Sequence, residues 1–120
     1  MKKVLIVDDE ENLRELYKQE LMEEGYSVCL AANGKEAISQ IEKENPDLVV
    51  LDIRMPEMNG IEALGRMIGR FKKIPVILNT AYTSYKEDFR TWAAEAYVVK
   101  SSDLTELKEK IREILSKKGD

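Results

Sequence analysis

The sequence predicts an α/β fold, a doubly wound parallel sheet, on three observations. Five short apolar runs recur along the 120 residues, segments of helical period separate them, and the runs are apolar throughout instead of alternating. The last observation sets the sheet type, because strands covered by helices on both faces have no polar side to show. Five β/α units in a chain of this length fill a single domain, 1–120.

The first run, Val4 to Val7, leads into Asp8, Asp9 and Glu10. Leu13, Leu16, Tyr17 and Leu21 then form the apolar stripe of a helix, with Gly25 placed to end it. Val28 to Ala31 is the second strand. Ala37, Ile38 and Ile41 mark a second helix, closed before Pro46 because the residue ahead of a proline disfavours the helical region. Leu48 to Leu51 is the third strand and stops at Asp52. A third helix carries Ile61, Leu64, Met67 or Ile68, and Phe71, although Gly65 and Gly69 each cost it about 1 kcal/mol of propensity. Val76 to Leu78 is the fourth strand, followed by Asn79 and Thr80; Ser84 then caps a fourth helix striped by Tyr85, Phe89 and Trp92. Ala96 to Val99 is the fifth strand, followed by Lys100, and Leu104, Leu107, Ile111 and Ile114 or Leu115 define the fifth helix.

Composition narrows the function classes. Hydrophobic residues make up 43% and charged residues 35%, a globular balance without the depletion that marks disorder. A formal charge of −4 gives no long-range attraction to nucleic acid or anionic lipid, so neither is expected as a direct partner. No stretch approaches the roughly 18 apolar residues of a membrane helix, and the start turns acidic before a signal peptide could be completed, which points to the cytoplasm. Cys29, the single cysteine, reads as an inert, half-buried thiol. No Gly-rich nucleotide phosphate loop is present, and the aromatic residues of the fourth helix read as packing, not as a base-stacking platform.

The chemistry lies at the strand ends. In open parallel sheets, ligands sit beyond the carboxyl ends of the strands where strand order reverses. With the order 2-1-3-4-5, the first and third strands are neighbours, and Asp8, Asp9 and Asp52 converge. Carboxylates this close repel one another, and a hard cation such as Mg2+ resolves the conflict with oxygen ligands and retained waters. Thr80 and Lys100 reach the same edge and supply a hydroxyl and an ammonium, which neutralise charge on the oxygens of a transferring phosphoryl group. Asp52 is then the nucleophile. Taken singly each residue has a plainer account, since aspartates often end strands and a lysine after a strand is usually solvated. Their joint placement at strand ends is what argues for a site.

The segments VLIVDDE at 4–10, PDLVVLDIRMPEMNGIEAL at 46–64, PVILNTAY at 75–82 and AYVVKS at 96–101 resemble the response-regulator receiver family, over essentially the whole chain. The resemblance implies the flavodoxin-like three-layer (βα)5 sandwich and a phosphoacceptor role for Asp52 in two-component or phosphorelay signalling. It makes Asp9 a direct Mg2+ ligand, Asp8 an acidic neighbour acting partly through water, and the Arg54 backbone carbonyl a further ligand, with Mn2+ as a substitute ion. Thr80 and Lys100 contact the phosphoryl oxygens, and Tyr97 matches the aromatic switch residue that follows the hydroxyl. Arg54 and Tyr82 flank the path of the hydrolytic water and are similar to the arrangement in single-domain sporulation phosphorelay receivers. The implied partners are a histidine kinase and a histidine phosphotransferase or protein target, with the chain a monomer or a phosphorylation-dependent dimer. A receiver assists its own phosphorylation without a conventional turnover substrate.

Two departures stand out. The family usually has proline after the lysine, joined by a cis bond, where this chain has Ser101; without proline a cis bond costs about 2.5–4 kcal/mol, so a trans bond is expected. Asn79 stands where an apolar residue is common, and a buried amide there needs partners. Other readings are the receiver part of a DNA-binding transcriptional regulator and, from another class, a non-phosphorylated adaptor of the same fold, which the full acidic set argues against. A haloacid-type phosphatase would need D-x-D-x-[TV], which is missing.

Overall fold

The computed structural model describes residues 1–52, 65–66, 74–80, 95–101 and 103–117. Five parallel strands, β1 (Lys3–Val7), β2 (Ser27–Ala31), β3 (Leu48–Leu51), β4 (Val76–Thr80) and β5 (Ala96–Val99), form one sheet in the order β2-β1-β3-β4-β5. Helices α1 (Glu11–Glu23) and α2 (Gly34–Glu44) connect the first three strands, and α3 (Thr105–Lys117) follows β5. Gly65 and Arg66 are helical, within the expected third helix. The remaining stripe of that helix and the whole of the expected fourth, Ser84, Tyr85, Phe89 and Trp92 included, lie outside the described residues.

The inner strands β1, β3 and β4 are buried on both faces, while most residues of the edge strands β2 and β5 are partly buried. Leu5, Val7, Val49, Leu51, Val76 and Leu78 pack with Ala37 and Ile41 of α2. Val4, Ile6, Leu48, Val50, Ile77 and Val98 pack on the other face with Tyr17 and Leu21 of α1 and Leu107, Ile111 and Leu115 of α3. Burying a side chain of this size stabilises by about 1.5–3 kcal/mol, so the two layers together fix the register of the sheet.

Helix ends follow local chemistry. Gly25 has φ +96°, and its N–H bonds to the Met22 carbonyl just beyond α1. The N-cap Asn33 accepts from the Glu36 N–H at 2.9 Å, while Glu36 Oε1 accepts from the Ala32 N–H at 3.0 Å, a reciprocal arrangement that opens α2. Asn45 closes α2 in the left-handed region, φ 49°, one residue before Pro46. Asp103 accepts from both the N–H and the hydroxyl of Thr105 at the start of α3.

One member of the expected stripes falls elsewhere. Leu16 is 42% exposed, whereas Tyr17 and Leu21 are buried and Leu13 partly so. At about 100° per residue, Leu13, Tyr17 and Leu21 advance by 40° steps along one face and Leu16 falls 60° to its side. β4 also runs two residues further than its apolar run, taking in Asn79 and Thr80. Cys29 is half-buried, and burial raises the pKa of its thiol, which accords with an unreactive role.

Candidate functional site

The chain leaves β1 in one direction to build β2 and returns past it to build β3, so strand order reverses between β1 and β3. Val7 pairs with Leu51 at this switch point, which sets the next residues, Asp8 and Asp52, side by side. The Asp52 N–H bonds to the Val7 carbonyl at 3.0 Å, and the Asp8 N–H to the Ala31 carbonyl at 3.1 Å, so the strand ladders place both carboxylates.

Asp8 is 1% and Asp52 5% exposed, while Asp9 is exposed. Carboxylates so buried need compensation, and Lys100 provides it from the end of β5. Its Nζ lies 2.8 Å from Asp8 Oδ2 and 3.0 Å from Asp52 Oδ2. Burial works against the lysine charge, but the hydrogen bonds to Asp8 and Asp52 outweigh it and hold the ammonium protonated well above the usual lysine range. Asp8 Oδ1 accepts from the Glu10 N–H at 2.9 Å, and Arg14 Nη1 donates to the Asp8 carbonyl at 2.8 Å.

Asp8, Asp9 and Asp52 each offer a carboxylate oxygen, and these oxygens lie within 4.8 Å of one another. Among the described residues, the Lys100 ammonium meets two of these carboxylates and the Arg14 guanidinium the Asp8 carbonyl, so the three carboxylates outnumber the cations beside them. That excess and the all-oxygen donor set fit a hard divalent cation such as Mg2+. The arrangement can hold the cation, present the Asp52 carboxylate as a nucleophile and place an ammonium beside it for the oxygens of an incoming anion.

Of the residues expected here from sequence, Asp8, Asp9, Asp52 and Lys100 come together. Thr80 is described in its backbone: it ends β4 and pairs with Val99, the residue before Lys100. Tyr97 is half-buried against the layer containing α2, one strand over from Leu78. Arg54 and Tyr82 lie outside the described residues. The Lys100–Ser101 bond is trans, as there is no cis peptide among the described residues.

Two contacts near the site were not foreseen. Arg14 reads in the sequence as one more charge on a solvated helix face, and only its position one turn beyond Glu10 hints that it could reach the β1 end. Asn79 is 3% exposed, and its Nδ2 donates to the Tyr17 hydroxyl at 3.1 Å. The need for a partner was legible; that a stripe residue of α1 would supply it was not. No buried side-chain nitrogen or oxygen among the described residues lacks a hydrogen-bond partner.

Comparison with known proteins agrees with this geometry. A family model described as the response regulator receiver domain matches residues 4–112. The regulatory protein AtoC of Escherichia coli is 42% identical over 108 residues, 88% of this chain but 23% of AtoC. Sporulation initiation phosphotransferase F of Bacillus subtilis is 37% identical over 119 residues, 98% of this chain and 96% of that protein. Among solved structures, the response regulator protein TrrA of Thermotoga maritima in complex with Mg(2+)-BeF is 50% identical, with a TM-score of 0.91 and coverage of 94% of this chain and 98% of TrrA. TrrA in complex with the histidine kinase ThkA gives a TM-score of 0.90 at the same identity, over 96% and 99% of the two chains.

Proposed function

The chain belongs to the response regulator receiver domain family, and from that premise we propose that Asp52 accepts a phosphoryl group from a kinase phosphohistidine. The observation that carries this is the buried Asp52 carboxylate at the strand-order reversal, with two further carboxylates and the Lys100 ammonium around it. An Asp52 oxygen attacks the phosphorus, the O–P bond forms as the P–N bond breaks, and the imidazole nitrogen leaves with the electron pair. Asp8, Asp9 and Asp52 would hold the cation, with the Arg54 carbonyl as the further ligand that the family pattern implies, and Mg2+, or Mn2+ in its place, would supply neutralising charge there. Lys100 turns from the unphosphorylated Asp52 carboxylate to the phosphoryl oxygens, Thr80 donates its hydroxyl to them, and Tyr97 follows the shift to report it.

The 120 residues act as one receiver domain in the cytoplasm. No described helix is long and apolar enough to cross a membrane. A histidine kinase is the donor, a role supported by the complex of TrrA with ThkA. A histidine phosphotransferase or docking target is the recipient; the near-complete overlap with a sporulation phosphotransferase supports a relay role. The short share of AtoC that is covered keeps the second reading, a receiver attached to a regulatory output, in view.

Exposure to acetyl phosphate with Mg2+ tests the phosphoacceptor. Intact-mass measurement should show one acid-stable, base-labile addition in the parent, lost with chelator and in Asp52→Asn; the same addition in Asp52→Asn would contradict the assignment. Arg54 and Tyr82 are proposed to screen the phosphoryl group, since neither is suited to act as a base that aligns water. Shortening both to alanine should speed phosphate loss after the donor is removed, and unchanged decay would end the screening role.

A further inference from the structure

Two side chains of α1 bond to strand ends, and they choose the two strands on either side of the one that carries Asp52. Arg14 donates to the Asp8 carbonyl just past β1. Three residues on, the Tyr17 hydroxyl accepts from Asn79 at the end of β4. In the sheet, β1 and β4 flank β3, so a single helical turn fastens both neighbours of the Asp52 strand. Residues three apart share a helix face, which makes the double attachment geometrically natural.

The Tyr17–Asn79 contact is unlike its surroundings. Tyr17 belongs to the apolar layer of Ile77, Val98 and Leu107, and an apolar residue at position 79 would pack there without an amide to satisfy. A hydrogen bond adds direction, because it holds only over a narrow range of distance and angle. Asn79 pairs with Val98 and Thr80 with Val99, and Lys100 comes next, 3.0 Å from Asp52. Any displacement at the end of β4 therefore passes along the ladder to the two groups that meet the phosphoryl oxygens. The phenol also lies within the field of the site: burial raises its pKa, the Asn79 bond lowers it, and Lys100, Asp8 and Asp52 all act on it.

The geometry points to Tyr17 and Asn79 as a positioning pair, whose hydrogen bond sets the end of β4 and Lys100 against Asp52 and thereby the rate of phosphoryl uptake. The pair does not touch the reacting atoms. The inference rests on the receiver reading above and goes beyond it, since position 79 is where this chain departs from the usual apolar residue.

Tyr17→Phe, Asn79→Leu and the double variant separate positioning from mere packing. Each single change strands one buried polar group, whereas the double change removes both and should bring the unfolding midpoint back toward the parent's. Phosphoryl uptake from acetyl phosphate is followed at saturating Mg2+, well below every midpoint, so that loss of folded protein does not enter. Uptake should be slower on the order of tenfold in all three variants, the restabilised double included, because misplacement at a reacting centre is costly even where stability is intact. Recovery of the parent rate in the double variant would overturn the inference, as would an unchanged rate in Tyr17→Phe, which folds with the loss of one oxygen atom only. A parent that takes up no phosphoryl group, like Asp52→Asn, would remove the receiver reading itself and the inference with it.

Discussion

Lys100 stands between two carboxylates that the sheet has taken out of water, and its removal shows how the site balances charge. Replacing it with methionine removes the ammonium that Asp8 and Asp52 share. Breaking a fully buried pair costs about 3–5 kcal/mol, but Lys100 keeps some solvent contact and one carboxyl can take a proton, so about 1–3 kcal/mol is expected. A divalent ion should supply the missing charge. Urea unfolding in chelator and in excess Mg2+ should therefore show Lys100→Met well below the parent without the ion and much closer to it with the ion. An equal deficit in both conditions would mean that lysine and cation do not share the same carboxylates. At this scale Asp8, Asp52 and Lys100 were legible because each directly follows an apolar strand. Arg14 and Tyr17 were not, because a helix stripe sorts residues by apolarity and says nothing of what their polar tips reach.

Elements were readable to the extent that their ends carry their own chemistry. Gly25 was legible as the end of α1 and takes φ +96°, whereas the Asn33 cap and the left-handed Asn45 at the two ends of α2 emerge only in the structure. Asn33→Ala should cost about 1 kcal/mol of stability while leaving acetyl phosphate uptake within twofold, since the cap follows the edge strand β2 and bonds to Glu36 of its own helix. A denaturation curve together with the uptake rate checks both halves; a large loss of uptake would mean that α2 reaches the site. Stripe width was harder to read. Leu16 counts as apolar in any window, yet the face is set by Leu13, Tyr17 and Leu21, and a neighbour 60° away meets solvent. The far end of β4 was obscured because Asn79 breaks an apolar run that the backbone ladder continues. Lys108–Glu20 at 2.7 Å and Arg112–Glu24 at 3.2 Å join α3 to α1 and its C-cap as solvated pairs that contribute little.

For the whole molecule, the uninterrupted apolar strands decided the architecture, because burial on both faces demands helices on both sides, and the two core layers meet that demand. The expected order 2-1-3-4-5 makes β1 and β3 neighbours so that their acidic ends converge, and the sheet has that order. The central claim, that this convergence makes Asp52 an acceptor for a kinase phosphohistidine, is tested most directly by phosphotransfer. Histidine kinases of the host organism, autophosphorylated with labelled ATP and freed of nucleotide, are mixed with the parent or with Asp52→Asn in the presence of Mg2+. The account predicts that label leaves at least one kinase and appears on the parent as an acid-stable, base-labile bond, with none on Asp52→Asn and none in chelator. Label on Asp52→Asn, or a parent that accepts none from any kinase of the host, would contradict it.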